Sequence, residues 1–290
     1  MIAFSPDAGS LTAISTARYS FDELAEIYNA GRVDYIVPMP MNGRRMAEYI
    51  RAYDVDLERS IVAVNADGDP AALGMLSRRD QRAWITRLGV IPERRGRHVG
   101  QFVMEALMRA ASDVNCVQLE VIEGNEPAYR LFVKMGFELT RRLVVLRRPP
   151  NAPTAQLVPL DGVLIEQMDE AACLEALIQR DQPISWLEEA ESMRKVGTLT
   201  GLRVTLVDGS SGAVVFCRLP FQLSHVTLIA PPDADERLAM SLIAATHRTF
   251  PKYDTKLENL DAASRFVPIF SAMGYIESFH RIEMIKHIAP

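Results

Sequence analysis

The sequence predicts a mixed α/β protein built as two similar domains, each a mixed, mostly antiparallel sheet flanked by helices. Three observations predict it. Apolar residues alternate with periods near 2 and near 3.6 in the order β-α-α-β-β-β-α-β-α-β, which is a layered α/β pattern. Residues of the first half recur in the second at a constant offset: Leu119-Glu120 returns as Leu257-Glu258, and Phe132, Met135, Gly136 and Phe137 return as Phe270, Met273, Gly274 and Tyr275. Finally, the proline-rich stretch from Arg147 to Thr154 stops regular structure near the middle of the 290 residues. Domain boundaries of 1–148 and 149–290 follow.

Taken in order, residues 11–16 are β-like and 21–30 form a helix with Leu24, Ile27 and Tyr28 on one face. A second helix, 43–53, carries Met46, Ile50 and Tyr53 in register. Residues 60–65 and 71–77 flank Asp67-Gly68, a hairpin signal that Asp208-Gly209 repeats in the second half. Residues 83–90 are a further strand. The helix at 99–111 has an apolar stripe of Val99, Phe102, Val103, Ala106, Leu107 and Ala110. A strand at 117–122, a short helix at 126–135 with Pro127 in its first turn, and a strand at 138–146 complete the half.

Composition narrows the function. Hydrophobic content of 48% and charged content of 24% fit a soluble globular chain. No apolar run approaches the roughly 20 residues of a membrane helix, and Met1–Asp7 lacks a signal peptide's basic and apolar regions. The three cysteines, Cys116, Cys173 and Cys217, have no metal-type spacing, so no metal and a reducing cytoplasm are expected. A net charge of −5 argues against nucleic acid. The charge is uneven: residues 1–150 hold 20 Lys and Arg against 19 Asp and Glu, the remainder 12 against 18.

The segment Leu88-Gly-Val-Ile-Pro-Glu-Arg-Arg-Gly-Arg-His-Val-Gly100 runs from a strand through a Gly- and Arg-rich loop into a helix start. Free N–H groups and the positive dipole end of that helix make an anion site, and glycine lets a polyanion approach the backbone. A pyrophosphate-bearing ligand is therefore expected.

Two motifs carry a family resemblance. Arg95-Gly96-Arg97-His98-Val99-Gly100 resembles the phosphate loop of GNAT-superfamily N-acyltransferases, and Asn125 through Phe132 to Gly136-Phe137 resembles their second signature. The resemblance implies two tandem GNAT-like domains, the first catalytic and the second degenerate. It also implies acetyl-CoA, or another acyl-CoA, as donor. Leu88, Gly89 and Val90 would hold the pantetheine and the acyl carbonyl. Residues Arg95, Gly96, Arg97, His98, Val99, Gly100 and Gln101 would wrap the pyrophosphate, with Asn125 and Phe132 also on the cofactor. Glu120 matches a Glu that some members use as general base. His98 replaces the first motif glycine; backbone amides can still point at phosphate provided its backbone adopts an ordinary helix-start conformation. Phe132 replaces a frequent Tyr and cannot protonate the leaving thiolate. Tyr28, Asp34 and Tyr35 are candidates for binding the acceptor, a small-molecule or peptide amine.

The corresponding loop of the second half, Pro231 to Ala239, has no glycine and three acidic residues before its arginine. That half is expected to bind no CoA, to pack or shape a pocket, and to keep Glu258 as a structural residue. Monomer and homodimer both remain open, as does a noncatalytic acyl-CoA sensor or scaffold.

Overall fold

The computed structural model describes residues 11–150, 158–180 and 183–288. Residues 151–154 of the proline-rich stretch and the N-terminal Met1–Asp7 lie outside them. The first half contains β1 (Thr12–Ser15), α1 (Phe21–Gly31), α2 (Gly43–Ala52), β2 (Ile61–Val64), β3 (Pro70–Arg79), β4 (Arg82–Val90), α3 (Val99–Ala110), β5 (Cys116–Ile122), α4 (Glu126–Lys134) and β6 (Glu138–Arg148). The second repeats the order with β7 (Leu164–Met168), α5 (Glu170–Ile178), α6 (Ala190–Val196), β8 (Thr198–Thr205), β9 (Ser211–Arg218), β10 (Gln222–Ile229), α7 (Glu236–Thr249), β11 (Asp254–Asp261), α8 (Phe266–Ala272) and β12 (Ile276–His287).

Two compact units result, and they do not divide at residue 148. One is Met1–Thr140 with Ile282–Pro290; the other is Arg141–Arg281. The units exchange their last strands. In the first, the strand order is β1-β2-β3-β4-β5, with β12 beside β5. There Thr140 Oγ1 donates to the Glu283 carboxylate at 2.9 Å, and Met284 is fully buried in the unit's core. In the second, β6 lies beside β11 and the order continues β10-β9-β8-β7. Val144 and Leu146 of β6 pack in that unit's core.

Local chemistry explains the elements of the first unit. Ser20 and Glu23 close a reciprocal capping box on α1. Asn42 caps α2 and Asn125 caps α4, each through its side chain. The hairpin glycines Gly68 and Gly209 both have positive φ, at +89° and +85°. Alternation along the strands separates two faces. Ala83, Ile85, Val117, Leu119 and Val121 join α3 and α4 in one core. Trp84 faces the other way, toward Tyr49 and Tyr53 at the α2 end.

Strands β4 and β5 run parallel and pair from Arg82–Cys116 to Ile85–Leu119. Beyond that point β4 is interrupted. Its register on β3 slips between Gly89 and Thr86, and Arg87 sits at φ +53°. This is a β-bulge: Arg87 and Leu88 together oppose Gly74. His225 of β10, 138 positions later, has φ +54° at a matching slip, so the repeat extends to the backbone irregularity itself.

Candidate active site

The parting of β4 from β5 opens a cavity of about 800 Å³, walled by the end of β4, the loop into α3, and α4. Leu88, Gly89, Val90, Arg95, Gly96, His98, Val99, Gly100, Gln101 and Asn125 all line it. Of the residues expected on the donor, Arg97 and Phe132 do not. Arg97 is exposed, and Phe132 is 5% exposed in the core, its ring 6.2 Å from that of Phe137. Leu131, not Phe132, faces the cavity from α4. Four cations (Arg94, Arg95, Arg130 and Lys134) share the wall with one carboxylate, Asp34. A field of that sign favours a polyanion.

His98 does not meet the helix-start condition. It caps α3 at φ +57° and ψ +10°, the left-handed region, not a helix-start conformation. The loop geometry thus demands what glycine gives freely, and a histidine has been forced into it. Gly96, at φ +75°, meets the same demand without strain. Arg95 is engaged by backbone: Nε donates to the Val90 carbonyl at 3.1 Å, and Nη2 to those of Gly31 and Val33 at 3.2 Å each. It ties the loop to the end of α1. Gly31 and Gly89 touch there, since a Cβ on Gly31 would stand 3.1 Å from the Gly89 carbonyl carbon. No sequence signal marked Gly31.

Asn125 serves two roles. Its Oδ1 accepts from the Ala128 N–H, and its Nδ2 donates to the Tyr35 hydroxyl at 3.2 Å. Tyr35 and the exposed Asp34, at φ +59°, therefore form wall of the same cavity. Tyr28 is buried elsewhere, with its hydroxyl accepting from Arg87 Nη1 at 3.1 Å.

Glu120 lies on the opposite face of the sheet from α3. Its Oε2 accepts from Trp84 Nε1 at 2.8 Å. Beside it, the Tyr49 hydroxyl and Thr86 Oγ1 are 2.5 Å apart, and the Arg87 guanidinium stacks 3.9 Å above the Tyr49 ring. Burial raises the Tyr49 hydroxyl pKa; Arg87 opposes that rise and Glu120 adds to it. Trp84, Tyr49 and Arg87 were missed from sequence. Strict alternation puts Arg87 on the same face as Ile85, and only the bulge turns it to the face of Trp84.

The second unit fills the corresponding places from within. Arg265 donates to the carbonyls of Ala234 and Pro231, closing the loop before α7. Glu258 bonds Lys256 at 2.8 Å, and Arg281 stands 3.8 Å away. Burial alone would raise the Glu258 pKa, but Lys256, His225 and Arg281 hold it at about 2. The cavity between β10 and β11 is about 230 Å³.

Among the described residues no helix is long and apolar enough to cross a membrane. Residues 22–137 match the acetyltransferase (GNAT) family. This stretch is a GNAT-superfamily domain, and the whole chain has the fold of tandem GNAT proteins. A GCN5-related N-acetyltransferase from Sphaerobacter thermophilus is 20% identical, with TM-score 0.68, over 98% of this chain and 97% of that one. A tandem GNAT protein from the clavulanic acid biosynthesis pathway is 13% identical, with TM-score 0.65, over 97% and 99%. A GCN5-related N-acetyltransferase from Kribbella flavida is 16% identical, with TM-score 0.57, over 97% and 71%. Comparison with curated proteins gave no match. The chemistry general to the GNAT family is acyl transfer.

Proposed function

We propose that the first unit is an N-acyltransferase that moves an acetyl group from acetyl-CoA to a primary amine, and that the second unit binds no CoA. The observation that carries this is the cavity of about 800 Å³ where β4 parts from β5, with a helix start and four cations on its wall. The α3 N–H groups from Val99 onward suit a pyrophosphate, and Arg94, Arg130 and Lys134 add charge. The β4 backbone at Leu88–Val90 and Asn125 would hold the pantetheine arm. The donor supplies a thioester.

An amine with pKa about 10.4 is neutral in only about one molecule in a thousand at pH 7. Glu120 takes its proton, directly or through water. The nitrogen lone pair then forms a C–N bond to the acyl carbon as the C–S bond breaks, and the nitrogen gives its second proton to water. The thiolate leaves and takes a proton from solvent. Its thiol pKa, about 8.5 by analogy with cysteine, makes that feasible without a tyrosine at 132. The β4 backbone polarises the carbonyl.

A second reading, an acyl-CoA sensor without turnover, is favoured by Phe132, which puts no hydroxyl where members of the family often have one. Calorimetric titration of acetyl-CoA decides the first step. One site per chain, weakened at least tenfold in Arg130→Ala/Lys134→Ala, supports the reading; two sites overturn the claim for the second unit. No binding overturns both readings. Glu120→Gln should lower kcat by about 10²- to 10⁴-fold with acetyl-CoA binding unchanged. Binding with no turnover of any amine would favour the sensor.

A further inference from the structure

On the face of the sheet that carries Glu120, Arg87 is a cation without a counter-anion. Its interactions are a hydrogen bond to the Tyr28 hydroxyl at 3.1 Å, a weak contact to Met39 Sδ at 3.9 Å, and stacking on Tyr49. Its Nε is buried with no hydrogen-bond partner. No carboxylate among the described residues pairs with it. Burying a guanidinium without an anion is costly, and one orphaned N–H adds to that cost. Arg32 repeats the pattern beside it. Its guanidinium carbon lies 5.2 Å from the Tyr28 ring centroid, as does that of Arg87, and its Nε and Nη1 are also buried and unpartnered. Other arginines of this unit have carboxylate partners: Arg79 pairs with Asp54 at 2.8 Å, and Arg78 and Arg59 with Asp113.

The bulge is what aims Arg87 here. A residue at φ +53° in mid-strand is strained, and such strain is kept where position matters. The second unit has the same bulge but spends it differently. His225 there is 3% exposed and lies in the field of Glu258, Lys256 and Arg281, so that place is electrically complete within the protein. Only in the first unit does the bulge present an unmatched charge, and only there does it stand near a carboxylate proposed to accept a proton. Contacts link the two: the Tyr49 ring is stacked under Arg87 and lies 6.4 Å from the Trp84 ring, whose Nε1 donates to Glu120.

We infer that Arg87 anchors an oxyanion of the acceptor, so that the substrate is an amine carrying a carboxylate or phosphate: the amine goes to Glu120 and the oxyanion to Arg87, across Tyr49. A planar guanidinium with a free edge matches either oxyanion in a bidentate way. Arg87 is thus a specificity-determining residue. The inference rests on the acyl-transfer reading for the use of the site, but not for the anion it holds.

Two measurements on the full chain test it. Thiol release from acetyl-CoA is followed with matched amines: an amino acid and its carboxamide, an aminoalkyl phosphate and the corresponding amino alcohol. At least a tenfold higher kcat/KM for the charged member of a pair, carried by KM, is expected. Arg87→Gln should erase that preference, and Arg87→Lys should restore part of it, with acetyl-CoA binding unchanged in both. Which pair shows the larger ratio separates carboxylate from phosphate. Equal rates for charged and neutral members overturn the inference. Tryptophan fluorescence reads binding without turnover, because Trp84 is bonded to Glu120. Saturable quenching by the charged amines, lost in an Arg87→Gln protein of unchanged melting temperature, supports the anchor even if no thiol is released, in which case the acyl-transfer reading alone fails. Absence of quenching together with absence of turnover of any charged amine overturns the anchor, even where acetyl-CoA binds.

Discussion

Individual residues show where chemistry and backbone compete. His98 occupies a conformation that costs a non-glycine residue about 1–2 kcal/mol, and glycine gives back part of this through its own entropy. His98→Gly should therefore raise stability by about 0.5–1 kcal/mol, read as a higher melting temperature, while the β-branched His98→Val should lower it. The motif was legible at this position, but its φ was not, because a single sequence names the residue and not the backbone it must adopt. The second unit supplies a pH test. Glu258, at about 2 in the fold against an ordinary 4.5, stabilises above pH 4.5 and loses that contribution as pH falls toward 2. His225, buried as the neutral ring, is lowered from 6.5 to about 4, so its contribution is present above pH 6.5 and fades as pH falls toward 4. Stability against urea should decline below about pH 6.5 in two stages. Glu258→Gln should reduce the loss below pH 4.5, and His225→Asn should reduce but not remove the loss that begins near 6.5, because buried His247, lowered to about 3, contributes in the same range.

At the scale of elements, the sequence was most legible where periodicity or turn chemistry acts alone. The Asp67-Gly68 hairpin, the helix start with Pro127 in its first turn and the apolar stripe of α3 all lie where local pattern puts them, and α3 ends one residue from the expected 111. Strand β4 was legible as a strand but not as a site, because its bulge reverses the alternation at Arg87. The partner of that bulge, Gly74, also receives α3. A Cβ on Gly74 would stand 2.5 Å from Val103 Cγ1 and 2.8 Å from Leu107 Cδ1. Gly74→Ala should cost about 1–3 kcal/mol by overpacking, measured by denaturant unfolding. Val103→Ala in the same chain should recover part of it, since the two sites share the contact.

For the whole molecule, the repeat was readable but the strand exchange was not. Spacing between Leu119 and Leu257 reveals a duplication; nothing in a local pattern says that β12 completes the first unit and β6 the second. The exchange makes β12 part of the candidate site's foundation. Met284→Ala should cost about 2–5 kcal/mol, and a chain ending at Arg281 should lose acetyl-CoA binding together with cooperative melting of the first unit. The arrangement also bears on how the protein is made. When Ile122 leaves the ribosome, this edge of β5 has no neighbour, and its neighbour in the fold is β12, whose first-unit part begins at Ile282. At about 5–20 residues per second the wait is on the order of ten seconds, during which an unpaired strand edge is open to other chains. The first unit, first to be synthesised, is thus the one that cannot close until the residues beyond Arg281 have been made, and a chain cut short before them carries the Gly- and Arg-rich loop without the strand that would let its domain finish folding.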